Sequence, residues 1–422
     1  MSASKTALAF RTLLFAALAF AGCGGNPNAD KKSAAKSANL KLPEGFTSVV
    51  AADSVGPLRH ISISDKGVLY VKLSRLKEGK GIFCLHDADN DGYFEQANGF
   101  GDYAGTGIRV VGNTLYASSN SSVFRYALNE NGDVADTAKK ETIVQGLPDL
   151  KMDNAKSFAL DGQDHIYVAI GSPNENCTPK ESVKGMPGCP LRDSLGGIWQ
   201  FSTKKQNQTY GDGLRYATGL KNVVGLDWDT ASGVLFAASH GRGNLGKLFP
   251  KLYTQQQDGD LPAEAVYGLH QGSDAGWPFV YYDQQLKKNV QSPEYGGNGK
   301  KEGDKKFDLP AFAMPAHMGP NDLLFYTGDM FPERYKNGVF VALHGQSPTL
   351  RQGYFVAFVP FKDGKPSGEW EIFADGFAGI DLKNPKSALE HRPMGLTQGP
   401  DGSLYVGDDV QGTIYKISYK KS

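Results

Sequence analysis

The sequence has few cysteines, no excess charge of either sign and no long apolar segment after its first twenty or so residues. Of 422 residues only 4 are Cys, and 45 basic residues balance 45 acidic ones. Balanced charge removes the general electrostatic attraction that draws proteins to nucleic acid. Without an apolar run of about 20 residues, the body of the chain has no candidate transmembrane helix. Segments with helical periodicity are also scarce, which argues against an α-helical fold.

Glycine and aromatic residues are abundant instead, and they recur in one pattern. The sequence has 52 Gly and 11% aromatic residues, a composition that favours short strands joined by tight turns. A turn followed by an apolar strand occurs six times: DKGVLY at 65–70, GNTLY at 112–116, DGQDHIY at 161–167, DTASGVLF at 229–236, YKNGVF at 335–340 and DGSLY at 401–405. Gly, Asn and Asp supply the positive φ of a hairpin turn. Six copies predict an all-β, six-bladed β-propeller with an axial channel; a β-sandwich is the alternative. Residues 251–310 interrupt the pattern and are predicted to be surface loops.

The N-terminus has the features of an export signal. Residues 1–22 contain two basic residues and then an apolar run at 12–20 that is too short to span a bilayer. The run ends in Phe20-Ala21-Gly22-Cys23, a pattern typical of bacterial lipoproteins, in which Cys23 carries the lipid. An ordinary cleaved signal followed by an incidental Cys is the alternative. Residues 23–40 are small and polar and are predicted to be a flexible tether, so that the propeller spans 41–422. The expected location is the periplasmic side of a bacterial membrane, with the lipid as the only membrane contact.

The expected compartment indicates the redox state of the other cysteines. Cys177 and Cys189 bracket a Pro/Gly-rich loop, and in an oxidising compartment a disulfide between them is expected. A metal site there is the weaker hypothesis, because no His lies nearby in sequence. Cys84 stands in an apolar stretch and is expected to be a buried strand thiol.

An acidic segment indicates a structural cation site. Asp87, Asp89 and Asp91 occupy alternate positions before Gly92, as in a Ca²⁺-binding loop. The twelfth position of the loop is Asn98, where an EF-hand has Glu, and the flanking residues have the pattern of strands. The alternatives are therefore a structural Ca²⁺ site and a solvated acidic turn.

Ten further segments resemble one enzyme family, and they occur in that family's order. They are LPEGF at 42–46, IYVAIGS at 166–172, GGIW at 196–199, YATGLKNVVGL at 216–226, HGR at 240–242, GWP at 276–278, PNDLLFY at 320–326, VALHG at 341–345, HRPMGL at 391–396 and PDGSLY at 400–405. Together they resemble the pyrroloquinoline-quinone (PQQ) dependent sugar dehydrogenases, especially those of the sorbosone and aldose type. The resemblance covers nearly all of the body and implies a propeller that uses PQQ and Ca²⁺.

The resemblance also implies site residues. Lys221 and Asn222 match the Arg-Asn pair that holds the quinone side of the cofactor, with Lys keeping the charge but not the bidentate geometry. Gly241 and Arg242 match the loop whose main-chain carbonyls bind Ca²⁺. Arg392 matches an arginine that binds a cofactor carboxylate, and further cofactor contacts are expected from Lys156 and Arg351.

Two positions depart from the family pattern. The family's catalytic base is a His shortly before the strand that begins here at Ser157, but residues 151–156 contain no His. Asp153 is the candidate replacement, and as a base it requires burial to raise its pKa. The segment after Gly345 is also shortened relative to the family, so that Arg351 is the residue expected to supply the local charge.

Three functions are compared on this basis. The first is a quinoprotein that oxidises an aldose or sorbosone-type sugar at C1 and passes electrons to an acceptor of the respiratory chain. The second is a catalytically weakened propeller that binds a sugar or a protein partner, which the missing His favours. The third is a lactonase-type hydrolase, for which no motif is present.

Overall fold

Most strands of the described part of the chain belong to six sheets, each with four antiparallel main strands. The computed structural model describes residues 35–420, and the sheets within this range are named here blades 1 to 6. Their strands, from first to fourth, are for blade 1 Leu58–Ile63, Leu69–Lys77, Lys80–His86 and Gln96–Phe100; for blade 2 Ile108–Val111, Thr114–Ser118, Val123–Ala127 and Glu141–Gln145; for blade 3 Phe158–Leu160, His165–Ile170, Gly197–Ser202 and Leu214–Thr218; for blade 4 Val223–Asp229, Val234–Ser239, Glu264–Leu269 and Phe312–Met314; for blade 5 Pro320–Phe325, Val339–Leu343, Val356–Val359 and Glu371–Ala374; and for blade 6 Pro393–Gln398, Leu404–Asp408, Ile414–Tyr419 and Phe46–Ala52.

The six blades close into a ring around an axis. The first strand of each blade contacts the first strand of the next, and the first strand of blade 6 contacts that of blade 1. Blade 6 takes its fourth strand, Phe46–Ala52, from the start of the described chain and pairs it with Ile414–Tyr419 from the end. The predicted six-bladed propeller is therefore confirmed, and the ring is sealed by strand pairing between the two ends of the domain.

The six repeated sequence segments occupy the same structural position. Each one forms the turn between the first and second strands of a blade together with the beginning of the second strand. Gly67, Gly162, Gly233 and Gly402 in these turns have φ between 68° and 83°, which is the conformation that the Gly-containing pattern predicted. The local turn chemistry thus identified every blade.

Side chains on the first strands connect neighbouring blades near the axis. Asp227 of blade 4 accepts a hydrogen bond from the main-chain N of Phe325 in blade 5 at 2.9 Å. Asp322 of blade 5 accepts one from Leu396 N in blade 6 at 2.8 Å. Gly225 lies so close to Asp322 that a Cβ would approach its main chain to 2.8 Å. Because a larger side chain does not fit there, these strands form a close-packed hub that holds the surrounding loops in position.

The antiparallel order gives the ring two distinct faces. At one face each first strand begins and each second strand ends, and we call it the site face. The other face carries the six repeated turns, and we call it the opposite face. The segments before residues 58, 158, 223, 320 and 393 and those after residues 170, 239, 343 and 408 therefore meet at the site face. Most of the predicted cofactor residues belong to these segments.

The segments outside the blades correct two expectations. The tether was predicted to reach residue 40, but Lys36–Ser37 pairs with the fourth strand of blade 6. Residues 251–310 were predicted to be loops, yet they include the third strand of blade 4, Glu264–Leu269, because this buried apolar segment is flanked by long polar insertions. The remaining short strands are Gln208–Thr209 and Ser273–Asp274, which extend blades 2 and 3, and the hairpins Val280–Asp283 with Lys288–Gln291, Gln346–Ser347 with Gln352–Gly353 and Phe361–Lys362 with Lys365–Pro366.

The helices of residues 35–420 are short. They are the α-helices Leu245–Leu248 and Gln255–Asp260 and the 3₁₀-helices Pro190–Asp193, Tyr210–Asp212, Pro293–Tyr295 and Glu333–Tyr335. Within this range no helix has the length and hydrophobicity needed to cross a membrane. The predicted signal peptide and the lipidated Cys23 lie outside the described residues.

Candidate functional site

Lys221 forms the centre of a charged cluster at the site face. Its Nζ lies 2.6 Å from Glu175 Oε2 and 2.8 Å from Asp153 Oδ2. Only 8% of Lys221 is exposed. The structure thus brings together the predicted cofactor cation Lys221 and the predicted base Asp153, and adds Glu175, which the sequence had not indicated.

The local backbone explains how this cluster forms. Gly219, with a φ of 73°, ends the fourth strand of blade 3 and turns the chain toward Lys221. The main-chain O of Lys221 accepts a hydrogen bond from Ser172 N at 2.9 Å. This bond joins the segment before the first strand of blade 4 to the segment after the second strand of blade 3, which carries Glu175. The two charged residues are therefore held on adjacent, mutually bonded segments.

Burial and charge act against each other in the cluster. Burial is the largest influence on Lys221 and lowers its pKa, but the carboxylates of Glu175 and Asp153 together outweigh it, so that the pKa is raised. Burial raises the pKa of Asp153, which Lys221 opposes and Glu175 reinforces. The ammonium is therefore fixed in its charged form, whereas the Asp153 carboxylate becomes a stronger base than a free Asp.

A buried carboxylate holds the loop that follows the second strand of blade 4 through hydrogen bonds. Glu264 is 3% exposed and accepts hydrogen bonds from Gly241 N at 2.9 Å and Gly319 N at 3.2 Å. Among the contacts of residues 35–420, neither Gly241 O nor Arg242 O accepts a hydrogen bond. The two carbonyls predicted to bind Ca²⁺ are thus available, on a backbone whose position Glu264 fixes.

Three neighbouring side chains support this loop. The amide Nδ2 of Asn222 lies 3.3 Å from His240 Nδ1, and His240 Nε2 lies 3.1 Å from Pro320 O. The Arg242 guanidinium is buried and forms a 2.5 Å ion pair with Glu294. Asn222, His240 and Arg242 therefore connect the loop to blade 5 and to the inserted segment.

A second charged cluster lies at blade 6. Arg392 Nε is 2.8 Å from Asp409 Oδ1, and His344 Nε2 is 3.0 Å from Asp409 Oδ2. Burial tends to raise the pKa of Asp409, but the hydrogen bonds from His344 and Arg392 outweigh this effect and the pKa is lowered. The predicted cofactor residue Arg392 is thus oriented by a carboxylate that it shares with a partly exposed His.

Arg59 extends this cluster toward the axis. It is the second residue of the first strand of blade 1, and burial lowers its pKa, with Asp409 opposing and Arg392 adding to the effect. Asp409 thus forms an ion pair with Arg392 and acts on Arg59 only through its charge. An anionic ligand near Arg59 would add a second negative charge to compensate the two guanidinium groups.

Lys156 does not have the predicted role of a cofactor contact. Its side chain is 0% exposed, and its Nζ donates to Asn154 O at 3.1 Å and to Asn154 Oδ1 at 2.8 Å. Burial lowers its pKa to about 8. In this structure Lys156 supports the loop before blade 3 and presents no surface to a bound molecule.

Arg351 is also placed away from the axis. It is exposed, and its NH1 donates to Lys383 O at 2.9 Å. It lines an outer groove with residues such as Lys41 and Asp375. The shortened segment after Gly345 folds into the small hairpin Gln346–Ser347 with Gln352–Gly353, which carries Arg351 outward. The prediction that Arg351 supplies charge at the cofactor site is therefore wrong for this structure.

Two other predictions concern regions outside the charged clusters. Cys177 and Cys189 form the predicted disulfide, with their Cα atoms 5.8 Å apart. The side chains of Asp87, Asp89 and Asp91 lie together and are joined by Glu95. This acidic loop begins at the end of the third strand of blade 1, at the opposite face, so it is separate from the candidate site. Whether it binds Ca²⁺ stays a prediction.

The sequence did not indicate Glu175, Asp409, Glu264 or Arg59. Glu175 and Asp409 both lie within five residues after the second strand of a blade, so an acidic residue in this segment is a usable signal. Glu264 and Arg59 lie within strands, and their sequence context carries no motif. Their roles follow from the way in which the blades meet.

A partly open pocket of about 50 Å³ is lined in part by the Gly241 loop. Its lining includes Lys221, Gly241, Arg242 and Trp277. A space of this size holds a few water molecules and is too small for a sugar or a tricyclic cofactor. A larger ligand would therefore have to extend beyond this pocket.

Comparison with known proteins gives consistent results. A family model described as TrAA12-like matches residues 40–420. An uncharacterized protein of Borreliella burgdorferi is 29% identical over 261 residues, which are 60% of this chain and 60% of that protein. The chain thus spans less than two thirds of this relative.

Solved structures share the fold. The PQQ domain of a pyranose dehydrogenase from Coprinopsis cinerea, in its holo form, superimposes with a TM-score of 0.72 at 19% identity, over 93% of this chain and 99% of that one. A calcium structure of a family AA12 carbohydrate-active enzyme from Trichoderma reesei gives 0.72 at 18% identity, over 93% and 100%. These similarities support the propeller fold that the sequence predicted.

Proposed function

Because the chain belongs to the TrAA12-like family, we propose that it is a quinoprotein sugar dehydrogenase that binds PQQ and Ca²⁺ at the site face. The observation that carries the proposal is the convergence of Lys221, Arg392 and the Gly241 loop on this one face of the ring. These residues come from separate segments of blades 4 and 6, and the resemblance assigns all of them to cofactor binding.

The cationic groups fit a tricarboxylate. Asp409 forms an ion pair with Arg392 and acts on Arg59 through its charge alone, so a ligand carboxylate beside Arg59 would compensate its positive charge. Lys221 keeps its charge because Asp153 and Glu175 surround it. At the Lys221 end an anion meets two carboxylates as well as the ammonium, so a bound Ca²⁺ has to supply positive charge there.

The oxygen donors fit Ca²⁺. Ca²⁺ takes six to eight oxygen ligands and readily uses main-chain carbonyls. Gly241 O and Arg242 O are candidates, because Glu264 holds the backbone through Gly241 N and leaves both carbonyls without a hydrogen bond among the described contacts. Ligand oxygens and water complete such a shell.

The proposed reaction oxidises an aldose or sorbosone-type sugar at C1. When bound, PQQ supplies the acceptor for the hydride that leaves C1. The protein must then take a proton from the C1 hydroxyl, and two groups are placed for this task. We favour His344, because its hydrogen bond to Asp409 orients the ring and an imidazole is the side chain that most often serves as a general base. Asp153 is the second candidate base, with a raised pKa but with one oxygen held by Lys221.

Reconstitution tests the proposal. The purified full chain is titrated with PQQ in the presence of Ca²⁺, and a panel of aldoses is then scanned with an artificial dye as electron acceptor. The proposal expects saturable PQQ binding, a change in quinone absorbance and sugar-dependent dye reduction. Absence of PQQ binding would overturn it.

Two variants then separate the candidate bases. If His344 is the base, His344→Ala lowers turnover by about 10²–10⁴-fold and Asp153→Asn has a smaller effect. The reverse order assigns the base to Asp153. PQQ binding without turnover on any sugar would favour the alternative of a catalytically weakened propeller, for which the ion pair between Asp153 and Lys221 is the supporting observation.

The location and partners belong to the same proposal. A lipid on Cys23 holds the enzyme on the periplasmic side of a bacterial membrane and near an electron acceptor of the respiratory chain. Metabolic labelling with a fatty-acid analogue tests the anchor, and Cys23→Ser abolishes the label if Cys23 carries it.

A further inference from the structure

A second group of potential metal ligands lies between blades 1 and 2, at the opposite face. Cys84 and His86 stand two residues apart on the third strand of blade 1, so their side chains project from the same side of the strand. Asp133 belongs to the turn between the third and fourth strands of blade 2. The Cys84 Sγ, one His86 ring nitrogen and an Asp133 carboxylate oxygen all lie within 4.8 Å of one another.

The turn that carries Asp133 is held in place before any ion binds. Asn129 Oδ1 accepts hydrogen bonds from Asn131 N at 2.9 Å and from Asp133 N at 3.1 Å. Tyr70 of blade 1 donates a hydrogen bond from its hydroxyl to Gly132 O at 2.7 Å. The carboxylate of blade 2 is therefore positioned against blade 1 by bonds that do not involve its own oxygens.

The environment leaves the Asp133 carboxylate incompletely satisfied. Asp133 is 6% exposed and Cys84 is 0% exposed. Asp133 Oδ1 is buried and has no hydrogen bond of good geometry; it lies 3.1 Å from His86 Nε2. A buried carboxylate oxygen in this state is costly, and a cation between the three side chains would compensate it.

The donor set selects the kind of cation. Thiolate, imidazole and carboxylate together suit Zn²⁺, whereas Ca²⁺ takes oxygen ligands only. Bonds of about 2.0–2.3 Å in a tetrahedral Zn²⁺ site separate the ligand atoms by roughly 3.3–3.8 Å. The separation of 3.1 Å between His86 Nε2 and Asp133 Oδ1 requires only a small adjustment to reach that range.

We propose that Cys84, His86 and Asp133 bind one Zn²⁺, with a water molecule as the fourth ligand. The Cys84 thiol releases its proton to solvent when the ion binds. Because the ligands come from two blades, the ion joins blade 1 to blade 2 and stabilises the ring. The site is independent of the cofactor site and of the proposed function.

The neighbouring acidic loop is a separate and chemically different group. Asp87 follows His86 directly in sequence, but Asp87, Asp89, Asp91 and Glu95 offer only carboxylate oxygens. A thiolate-specific signal therefore distinguishes the two groups.

Cobalt is the probe for the experiment, because Co²⁺ replaces Zn²⁺ and reports a thiolate ligand through a charge-transfer band in the near ultraviolet. The full chain, purified in detergent without reductant, is titrated with Co²⁺ and then with Zn²⁺. The proposal expects a band that saturates at one equivalent of Co²⁺, that Zn²⁺ removes and that Ca²⁺ leaves unchanged. Zn²⁺ should also raise the thermal unfolding midpoint.

Variants assign the ligands. Cys84→Ser should abolish the band. Since Cys84 packs in the core, Asp133→Asn is the second variant, and it should weaken Zn²⁺ binding by on the order of a hundredfold in a folded protein. Asp89→Asn, in the acidic loop, and Cys23→Ser are matched controls that should keep the band and the Zn²⁺ affinity.

Two results would overturn the proposal. One is a folded chain that shows no thiolate band at saturating Co²⁺. The other is a band that persists in Cys84→Ser or an unchanged Zn²⁺ affinity in Asp133→Asn, either of which means that the ion binds elsewhere and that His86 and Asp133 form only an ion pair.

Discussion

Lys221 and Lys156 are both buried lysines near the site face, yet their surroundings differ. Lys221 contacts two carboxylates, Asp153 and Glu175, whereas the Lys156 ammonium donates only to the neutral oxygens of Asn154. The pKa of Lys221 is raised, and that of Lys156 falls to about 8 because of burial. The family resemblance assigned both residues the same role.

The difference shows what a buried cation needs in order to serve a ligand. Burial disfavours the charged form in both places, so only a residue with its own counter-charges keeps a reliable positive charge. Lys221 has a raised pKa and some exposed surface, whereas Lys156 has a lowered pKa and no exposed surface. Lys156 lies next to site residues in the sequence, but this does not make it part of the site.

The largest effect is expected from the removal of the Lys221 charge. In Lys221→Met, Asp153 and Glu175 repel each other without their shared cation. We expect a loss of about 2–4 kcal/mol in the free energy of unfolding and a fall in PQQ affinity of at least tenfold. Urea denaturation and PQQ titration measure the two effects. Lys221→Arg keeps the charge and should recover most of the stability; an equally large loss in Lys221→Arg would contradict the electrostatic explanation.

The pH dependence of stability tests Lys156. Its pKa is about 8 in the folded protein, against 10.5 for an ordinary lysine such as one in the unfolded chain, so between these pH values the unfolded chain binds more protons than the folded one. The free energy of unfolding of the natural protein should therefore rise with pH across this window, by up to on the order of 3 kcal/mol, relative to Lys156→Met.

Denaturant titrations of both proteins from pH 7 to pH 10.5 measure this difference and cancel the contributions of other titrating groups. Parallel stability curves would mean that Lys156 reaches solvent. PQQ affinity should be nearly the same in both proteins, since Lys156 has no exposed surface.

Removal of the charge of one carboxylate, Asp153, should have a smaller effect on stability. In Asp153→Asn the side chain keeps its shape, and Glu175 still holds Lys221, so we expect a loss of about 1 kcal/mol in the free energy of unfolding. The pKa of Lys221 should fall, because one of its two counter-charges is gone. Glu175→Gln is the matched variant, and a double variant that loses much more than the sum of the two would show that the carboxylates substitute for each other.

The smallest effect is expected at Arg351. This exposed residue contacts Lys383 O in an outer groove, so Arg351→Ala should change stability by no more than about 0.5 kcal/mol and leave PQQ affinity unchanged. A PQQ titration checks this. A tenfold loss of affinity would mean that the hairpin carrying Arg351 folds back over the site when the cofactor binds.

The sequence predicted the fold better than the site because the two depend on different ranges of interaction. The six turns are determined by Gly, Asn and Asp within a few residues, so a local pattern was sufficient to identify every blade. The contact between Lys221 and Glu175 spans 46 positions, and that between Arg392 and Asp409 joins the first two strands of blade 6. Such contacts depend on which segments meet at the site face.

The errors have the same origin. Arg351 lies a few residues after a motif, but a two-stranded hairpin turns it outward. Lys156 lies just before the first strand of blade 3, where the chain passes beneath the surface. Both residues lie at the expected distance from a family motif along the chain. The tertiary structure, however, determines where their side chains point.

The closure of the ring has a consequence for the order of events during biogenesis. Phe46 pairs with Tyr419, a residue made on the order of 370 positions later, so blade 6 cannot be completed until residue 419 has been made. Formation of such distant contacts is slow, because the intervening chain must first become ordered. Until then the edge of the Phe46–Ala52 strand is unpaired and can pair with other chains, so this interval is the one in which a newly made protein is most exposed to aggregation.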